Sequence, residues 1–302
     1  MTANLREIKV FTTFPHRCSY LPEKEATTLF VDPRQNVTPE LYTELSLMGF
    51  RRSGDHIYRP HCHSCNACIA ARVPVNDFIL SRSQKRVLNA NSDLRVAVSS
   101  SVDDDEAYSL YARYIREKHA DGDMFPPDRE QYESFLNNSL GCTQYFRLYD
   151  DEKLVCVAVS DRMLDGLAAI YTFYDPSSEK RSLGTFAVLL QIAHAQRVNL
   201  PYVYLGYWVE GCRKMNYKTR FKPLETHRDG RWHGSNSEVT SAVHFIDKTV
   251  GFTHNMPLFS SPPRHTLSSG NCQERKTGAN LATCITKAYL QAEGLNTVLH
   301  RI

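Results

Sequence analysis

Cys62, Cys65 and Cys68, flanked by His61 and His63, form the densest group of reactive side chains in this 302-residue chain. Thiolates separated by two residues in a turn can face one ion, and soft sulfur favours zinc or an iron–sulfur cluster. A fourth ligand would come from the isolated Cys18, preceded by His16, or from a histidine. A ferredoxin-type run would need a further close cysteine followed by proline, and the sequence has none there. Reduced structural or redox-active thiols are the competing reading. A thiol nucleophile would need a supporting base, which the sequence does not name. Cys142, Cys156, Cys272 and Cys284 read as small core or surface residues.

The elements that must position these groups are legible from caps and periodicity. Thr38 caps a helix over 38–49, with Pro39 at its first turn and Gly49 at its end. Ser81 caps a short basic helix reaching Asn91. Further helices are read over Asp103–His119, with Tyr108, Tyr111, Ala112 and Ile115 on one side, and over Gln131–Asn138. Tyr145–Tyr149, Leu154–Val159 and Ala168–Tyr174 read as successive strands, then Leu183–Arg197 as an amphipathic helix and Tyr202–Val209 as a buried strand. The order defines a mixed α/β (α+β) fold. From His233 the chain turns rich in Ser, Thr, Asn and Gly, with periodicity returning only at Ala279–Leu290. That segment reads as an atypical, partly disordered extension.

Composition is that of a globular chain, with 42% hydrophobic and 23% charged residues. Net charge is only +3, but it is unevenly spread. Residues 51–100 carry eight Lys/Arg, residues 101–150 open on an acidic run, and Arg213–Arg231 turns basic again. The two basic segments are expected either to share a polyanion-binding face or to be ordinary solvated surface. No run approaches 18 apolar residues, and the start lacks a secretory pattern. Reduced thiols and a cytoplasmic location without membrane contact are expected.

Seven ordered blocks carry a resemblance. They are Cys18–Leu21, Gly49–Cys62, Cys65–Pro74, Ser81–Arg86, Tyr171–Pro176, Arg181–Thr185 and Tyr204–Lys218. Together they resemble the arginyl-tRNA–protein transferases, in the bacterial, leucine-transferring branch, from about residue 5 to 232. The resemblance implies a GNAT-like acyltransferase domain over 101–232, preceded by a smaller Cys-containing domain over 1–100, with 233–302 as the extension. It implies transfer of leucine from Leu-tRNA to the α-amine of proteins beginning with Asp or Glu. The product would be a degradation signal read by a downstream N-end rule adaptor and protease. Transfer would require no cofactor, and a zinc ion or iron–sulfur cluster on Cys18, Cys62, Cys65 and Cys68 would be supporting. Arginine as donor, a non-catalytic metal-stabilised RNA-binding module and a CoA-dependent N-acetyltransferase are the alternatives. The last would want more glycines at the helix start than Gly184 alone.

An aminoacyl ester is already activated, so its attack by an amine needs alignment, oxyanion stabilisation and a route for one proton. Asp165, Tyr171, Tyr174 and Tyr207 are the expected catalytic residues, with Asp161 a further proton acceptor. Tyr171 and Tyr174 are read as flanking a Phe173 that points away from both. Arg181, Ser182 and Gly184 stand where a strand hands over to a helix, a position that binds anions or is simply capped by Ser182. Tyr202, Tyr204, Tyr207 and Trp208 offer rings to a terminal adenine or to the core. Lys214 and Lys218 suit phosphate or carboxylate contacts, as do Arg82, Lys85 and Arg86 on the short helix. Arg51, Arg52, Arg72 and Arg82 are the candidates for reading an acidic acceptor, and the sequence does not choose among them.

Overall fold

The computed structural model describes residues 8–137 and 140–234. The extension expected from 233, apart from its first two residues, and the last residue of the helix expected to reach Asn138 lie outside the described residues.

Four short strands, β1 (Val10–Thr12), β2 (His16–Arg17), β3 (Glu25–Ala26) and β4 (Thr28–Val31), precede helix α1 (Pro39–Leu47). Then come β5 (Arg51–Ser53), β6 (His56–Pro60), β7 (Cys68–Pro74), α2 (Arg82–Asn89) and β8 (Arg95–Ser99). Helices α3 (Asp105–Lys118) and α4 (Arg129–Leu136) lead into β9 (Thr143–Asp150), β10 (Lys153–Arg162) and β11 (Gly166–Tyr174). Helix α5 (Leu183–Arg197), β12 (Tyr202–Val209), a 3-10 segment (Arg213–Arg220), β13 (Glu225–Arg228) and β14 (Arg231–His233) complete it.

The helices begin where side chains can satisfy their first amides. Thr38 accepts from Leu41 N, and Asp104 and Asp128 accept from Ala107 N and Gln131 N. Ser81 and Gln84 form a reciprocal capping box on α2. Helix α5 departs from expectation. Eleven of its 15 residues are buried, so it is a core helix rather than an amphipathic one. Its apolar residues meet the sheet on one side and α2 on another, and its polar Gln191 donates to Ser160 Oγ at 2.8 Å.

Strands β1-β4-β6-β5 form a small antiparallel sheet. Eight strands form the central sheet in the order β14-β13-β7-β12-β11-β10-β9-β8. The expected boundary at residue 100 falls inside this sheet, because β7 and β8 both belong to it. Every pairing in it is antiparallel except β11 with β12. Helix α5 supplies the crossover that a parallel pair requires. This is the mixed α/β architecture expected, with helix α5 packed against the parallel pair that it connects. One face of the sheet packs on α2 and α5, and the part of the other face around Tyr204 packs on α1 and the small sheet.

Candidate active site at the splay of the parallel strands

The parallel pairing is short. Gly166, Leu167 and Ala168 face Tyr202, Val203 and Tyr204, and there the register stops. Beyond it β11 continues to Tyr174 paired with β10, while β12 continues to Val209 paired with β7. Beyond Ala168 and Tyr204 the two strands are therefore unpaired with each other, leaving main-chain amides and carbonyls along their facing edges. Unpaired main-chain groups of this kind can hold an acyl group and an oxyanion.

A bulge shapes the β12 side of the gap. Tyr204 pairs with Arg72 and Gly206 with Ala71, so Leu205 is an additional residue. The bulge shifts side-chain parity. Tyr204 and Tyr207, three apart, both point toward the small-sheet face, whereas Val203, Leu205 and Trp208 pack toward α5. Gly206 adopts φ +75°, a conformation in which glycine is unstrained. A Cβ there would stand 3.6 Å from Lys218 Nζ, an ordinary contact, so backbone conformation rather than space calls for glycine.

Lys218 is 5% exposed and donates to Tyr207 O at 2.5 Å, so it is no part of a solvated basic turn. Burial, reinforced by Arg51, lowers its pKa to about 7. Between that value and the ordinary 10.5 the unfolded chain holds a proton that the folded chain has released. Stability should therefore rise with pH across this window. Denaturant titrations from about pH 7 to about pH 9.5 are expected to favour the wild type over Lys218→Met increasingly as pH rises. A constant difference would contradict the burial of a neutralised amine.

Asp165 sits just before β11 and accepts from Tyr204 Oη at 2.6 Å through Oδ2, while Oδ1 is buried without a partner. Burial raises its carboxyl above the usual value, against the pull of Tyr204, Arg72 and Arg51. Asp161 has no such freedom. It is fully buried, held by Arg52 at 2.5 and 2.9 Å, by Tyr42 Oη at 2.8 Å and by Thr143 Oγ1 at 2.7 Å. The sequence reading of Asp161 as a proton acceptor is corrected: it is a structural anchor between β10, α1 and β5.

The other expected residues divide clearly. Arg72 is spent on Glu225 (2.6 Å), Tyr204 Oη (3.2 Å) and the rings of Tyr202 and Trp232. Arg181 is tied to Asp93 and Asp150. Ser182 is left-handed (φ 52°, ψ 46°) and makes no side-chain cap, which removes the simple capping reading. Gly184 lies beside Tyr174, 3.6 Å from the position of an added Cβ. Tyr171 and Phe173 share a face, with centroids 6.4 Å apart, so Phe173 does not point away from Tyr171. Tyr207 Oη donates to Gly49 O at 2.8 Å, which makes it a brace. Trp208 is half-buried on the α5 side, and its Nε1 has no partner. Lys214 is exposed, with Asp121 at 3.6 Å. Arg82 and Arg86 are exposed on α2, which packs on α5.

The thiols gather elsewhere. Cys18, Cys62, Cys65 and Cys68 line one cavity of about 530 Å³, beside Arg59, His61 and His227. Cys18 Sγ accepts from Leu21 N at 3.4 Å, a turn of the kind that presents sulfur inward. Burial pushes the Cys68 thiol up to about 12, and Cys18, Cys62, Cys65 and Cys212 push in the same direction. Cys212 is a neighbour that the spacing argument did not assign. Its place in the Tyr204–Lys218 block was the available signal.

Residues 16–86 match the N-terminal region, and residues 106–228 the C-terminal region, of the family described as arginine-tRNA-protein transferase. Proteins named aspartate/glutamate leucyltransferase are similar over most of the chain. That of Pseudomonas syringae pv. tomato is 52% identical over 228 residues, covering 76% of this chain and 97% of its own. That of Stutzerimonas stutzeri is 53% identical over 229 residues, with the same shares. Among solved structures, the DUF2156 domain of an Agrobacterium fabrum protein is 14% identical, with a TM-score of 0.40, covering 63% of this chain and 64% of that one. A tandem GNAT protein from the clavulanic acid pathway is 13% identical, with a TM-score of 0.34, covering 72% and 64%. This chain belongs to the arginine-tRNA-protein transferase family and is an aminoacyltransferase. Among the described residues no helix is long and apolar enough to cross a membrane.

Proposed function

We propose that the chain transfers leucine from Leu-tRNA to the α-amine of proteins beginning with Asp or Glu. The observation that carries this is similarity at 52–53% identity to relatives of that name across 97% of their length. The splay supports the chemistry. The acceptor nitrogen attacks the ester carbonyl, the C–N bond forms, the C–O bond to the terminal ribose breaks, and the amine's proton ends on the ribose oxygen. An α-amine with pKa near ~8 is partly neutral in a cell, so positioning dominates. Open strand edges of β11 and β12 supply donors for the oxyanion. Tyr174 and Gly184 form the rim at α5, and exposed Arg82 and Arg86 meet tRNA phosphate. The product acts as a cytoplasmic degradation signal for an N-end rule adaptor and protease.

Labelled Leu-tRNA incubated with peptides beginning Asp, Glu, Lys or Ala tests this. Label is expected on the Asp and Glu peptides alone. Transfer from acetyl-CoA, or binding of tRNA without transfer, would overturn it.

Cys18, Cys62, Cys65 and Cys68 line one cavity and are the residues that would hold a soft metal ion or cluster, but among the described residues no three Cys, His, Asp or Glu stand in a ligating arrangement, so the thiols would have to draw together around it. Such a group would crosslink the N-terminal strands and give them redox sensitivity. Metal and sulfide analysis of protein purified with and without oxygen is expected to find zinc or iron that Cys62→Ala and Cys65→Ala remove. A metal-free protein of full stability would contradict it.

A further inference from the structure

Arg51, on β5, is 6% exposed, yet its Nε and Nη2 have no hydrogen-bond partner. Its one bond runs from Nη1 to Phe50 O at 2.8 Å. The guanidinium lies 5.3 Å from the Tyr204 ring centroid and 5.8 Å from that of Tyr207. It therefore sits between the two rings that the β12 bulge brings onto one face, near enough to Lys218 to depress that amine's proton affinity. Among the described residues neither cation has a carboxylate within salt-bridge distance. Neighbouring Arg52 and Arg72 are each neutralised by a carboxylate, Asp161 and Glu225.

Arg51 is a buried cation that Asp165 is near enough to feel but that has no carboxylate within salt-bridge distance among the described residues, and a buried charge so poorly compensated opposes folding. A site that accepts an anionic ligand resolves that cost on binding. From the sequence, four arginines were equal candidates for this task; three are now accounted for, two by their ion pairs and Arg82 by its exposed place on α2.

We propose that Arg51, with Lys218 beside it, reads the side-chain carboxylate of the acceptor's first residue. The assignment rests on the leucyl transfer proposed above and adds the residue that sets its acceptor specificity. Two features favour a carboxylate over a tRNA phosphate. Arg51 is too enclosed for a phosphodiester chain to pass, whereas an Asp or Glu side chain ends in its carboxylate. It also lies on the small-sheet face of β12, opposite α5 and the exposed arginines of α2. Donor and acceptor then approach the splay from opposite faces and meet in the gap. Asp165, whose Oδ2 accepts from Tyr204 Oη, stands near enough to Arg51 to feel its charge. An amide in place of the acid would leave the guanidinium charged and unpaired, so Asn and Gln are rejected electrostatically.

The test compares Arg51→Gln and Arg51→Lys with the wild type, using peptides beginning Asp, Asn, Glu and Gln and labelled Leu-tRNA. In Arg51→Gln, kcat/KM for the acidic peptides is expected to fall at least about 100-fold, chiefly through KM, and the Asp-over-Asn ratio to fall below about 10. Arg51→Lys, which keeps charge and loses the fork, is expected to lose about 10-fold. Filter binding of Leu-tRNA should stay within about two-fold of wild type, and the unfolding midpoint of Arg51→Gln should not drop, because an unpaired buried cation is being removed. An unchanged Asp-over-Asn ratio overturns the assignment, as does weakened Leu-tRNA binding with the ratio kept, which would make Arg51 a phosphate contact. A wild type that transfers leucine to no acidic peptide overturns the proposed function itself, and the assignment with it.

Discussion

Replacing Asp161 with alanine is expected to lower the free energy of unfolding by about 3–5 kcal/mol, a large share of the roughly 5–15 kcal/mol a domain possesses. Its partner Arg52 has a side chain 0% exposed, so the substitution strands a charge beneath the small sheet. Tyr42 and Thr143 lose an acceptor at the same moment. Urea titration of Asp161→Ala measures this. An apolar pair, Arg52→Met with Asp161→Leu, should recover much of the loss, because the cost lies in the orphaned charge rather than in the missing attraction. A loss below about 1 kcal/mol for Asp161→Ala would contradict the anchoring role. The anchor also has a functional side. It fixes β5 against β10, and β5 carries Arg51 one residue before Arg52.

Gly206→Val is the substitution with the largest expected effect on transfer. A β-branched residue is strained at φ +75°, and its side chain would occupy the space beside Lys218 Nζ. Straightening of the bulge would return Tyr207 toward the opposite face and close the gap between β11 and β12. A displacement of about 1 Å at such a centre costs on the order of 100-fold in rate, and loss of the bulge should cost more. Single-turnover transfer from Leu-tRNA reads it, with circular dichroism confirming the fold. Transfer within about three-fold of wild type would show that the bulge does not shape the site.

Much of the scaffold was legible before any coordinates. Thr38, Ser81 and the residues around Asp103 announce helices because caps are local chemistry, and the structure places those helices within two residues of their expected ends. The central strands were legible for the same reason, through alternation of apolar residues. Long-range facts were not. The burial of α5 on nearly every side depends on β10, β11 and α2 together. The bulge at Leu205 reverses parity within a strand whose sequence alternates normally, so Tyr207 could not be assigned a face. Arg51 and Arg52 are adjacent in sequence, yet Arg52 is matched by Asp161, 109 residues away, while Arg51 has no carboxylate within salt-bridge distance among the described residues. Lys218 reads as part of a basic turn until the fold buries it against Tyr207 O. The thiols show the converse. Cys62, Cys65 and Cys68 were found by spacing, whereas Cys212 joins them through the fold.

The splay between β11 and β12 is the proposed place where the acyl group is exchanged. A crystal structure with a hydrolysis-resistant donor end, leucine joined by an amide to 3′-amino-adenosine, tests that directly. The leucyl carbonyl should lie in the gap bordered by residues 169–174 of β11 and 205–209 of β12. Its oxygen should accept from backbone amides there, with the adenosine on the α5 side. A donor seated in the cysteine-lined cavity, with the gap left to solvent, would contradict the account.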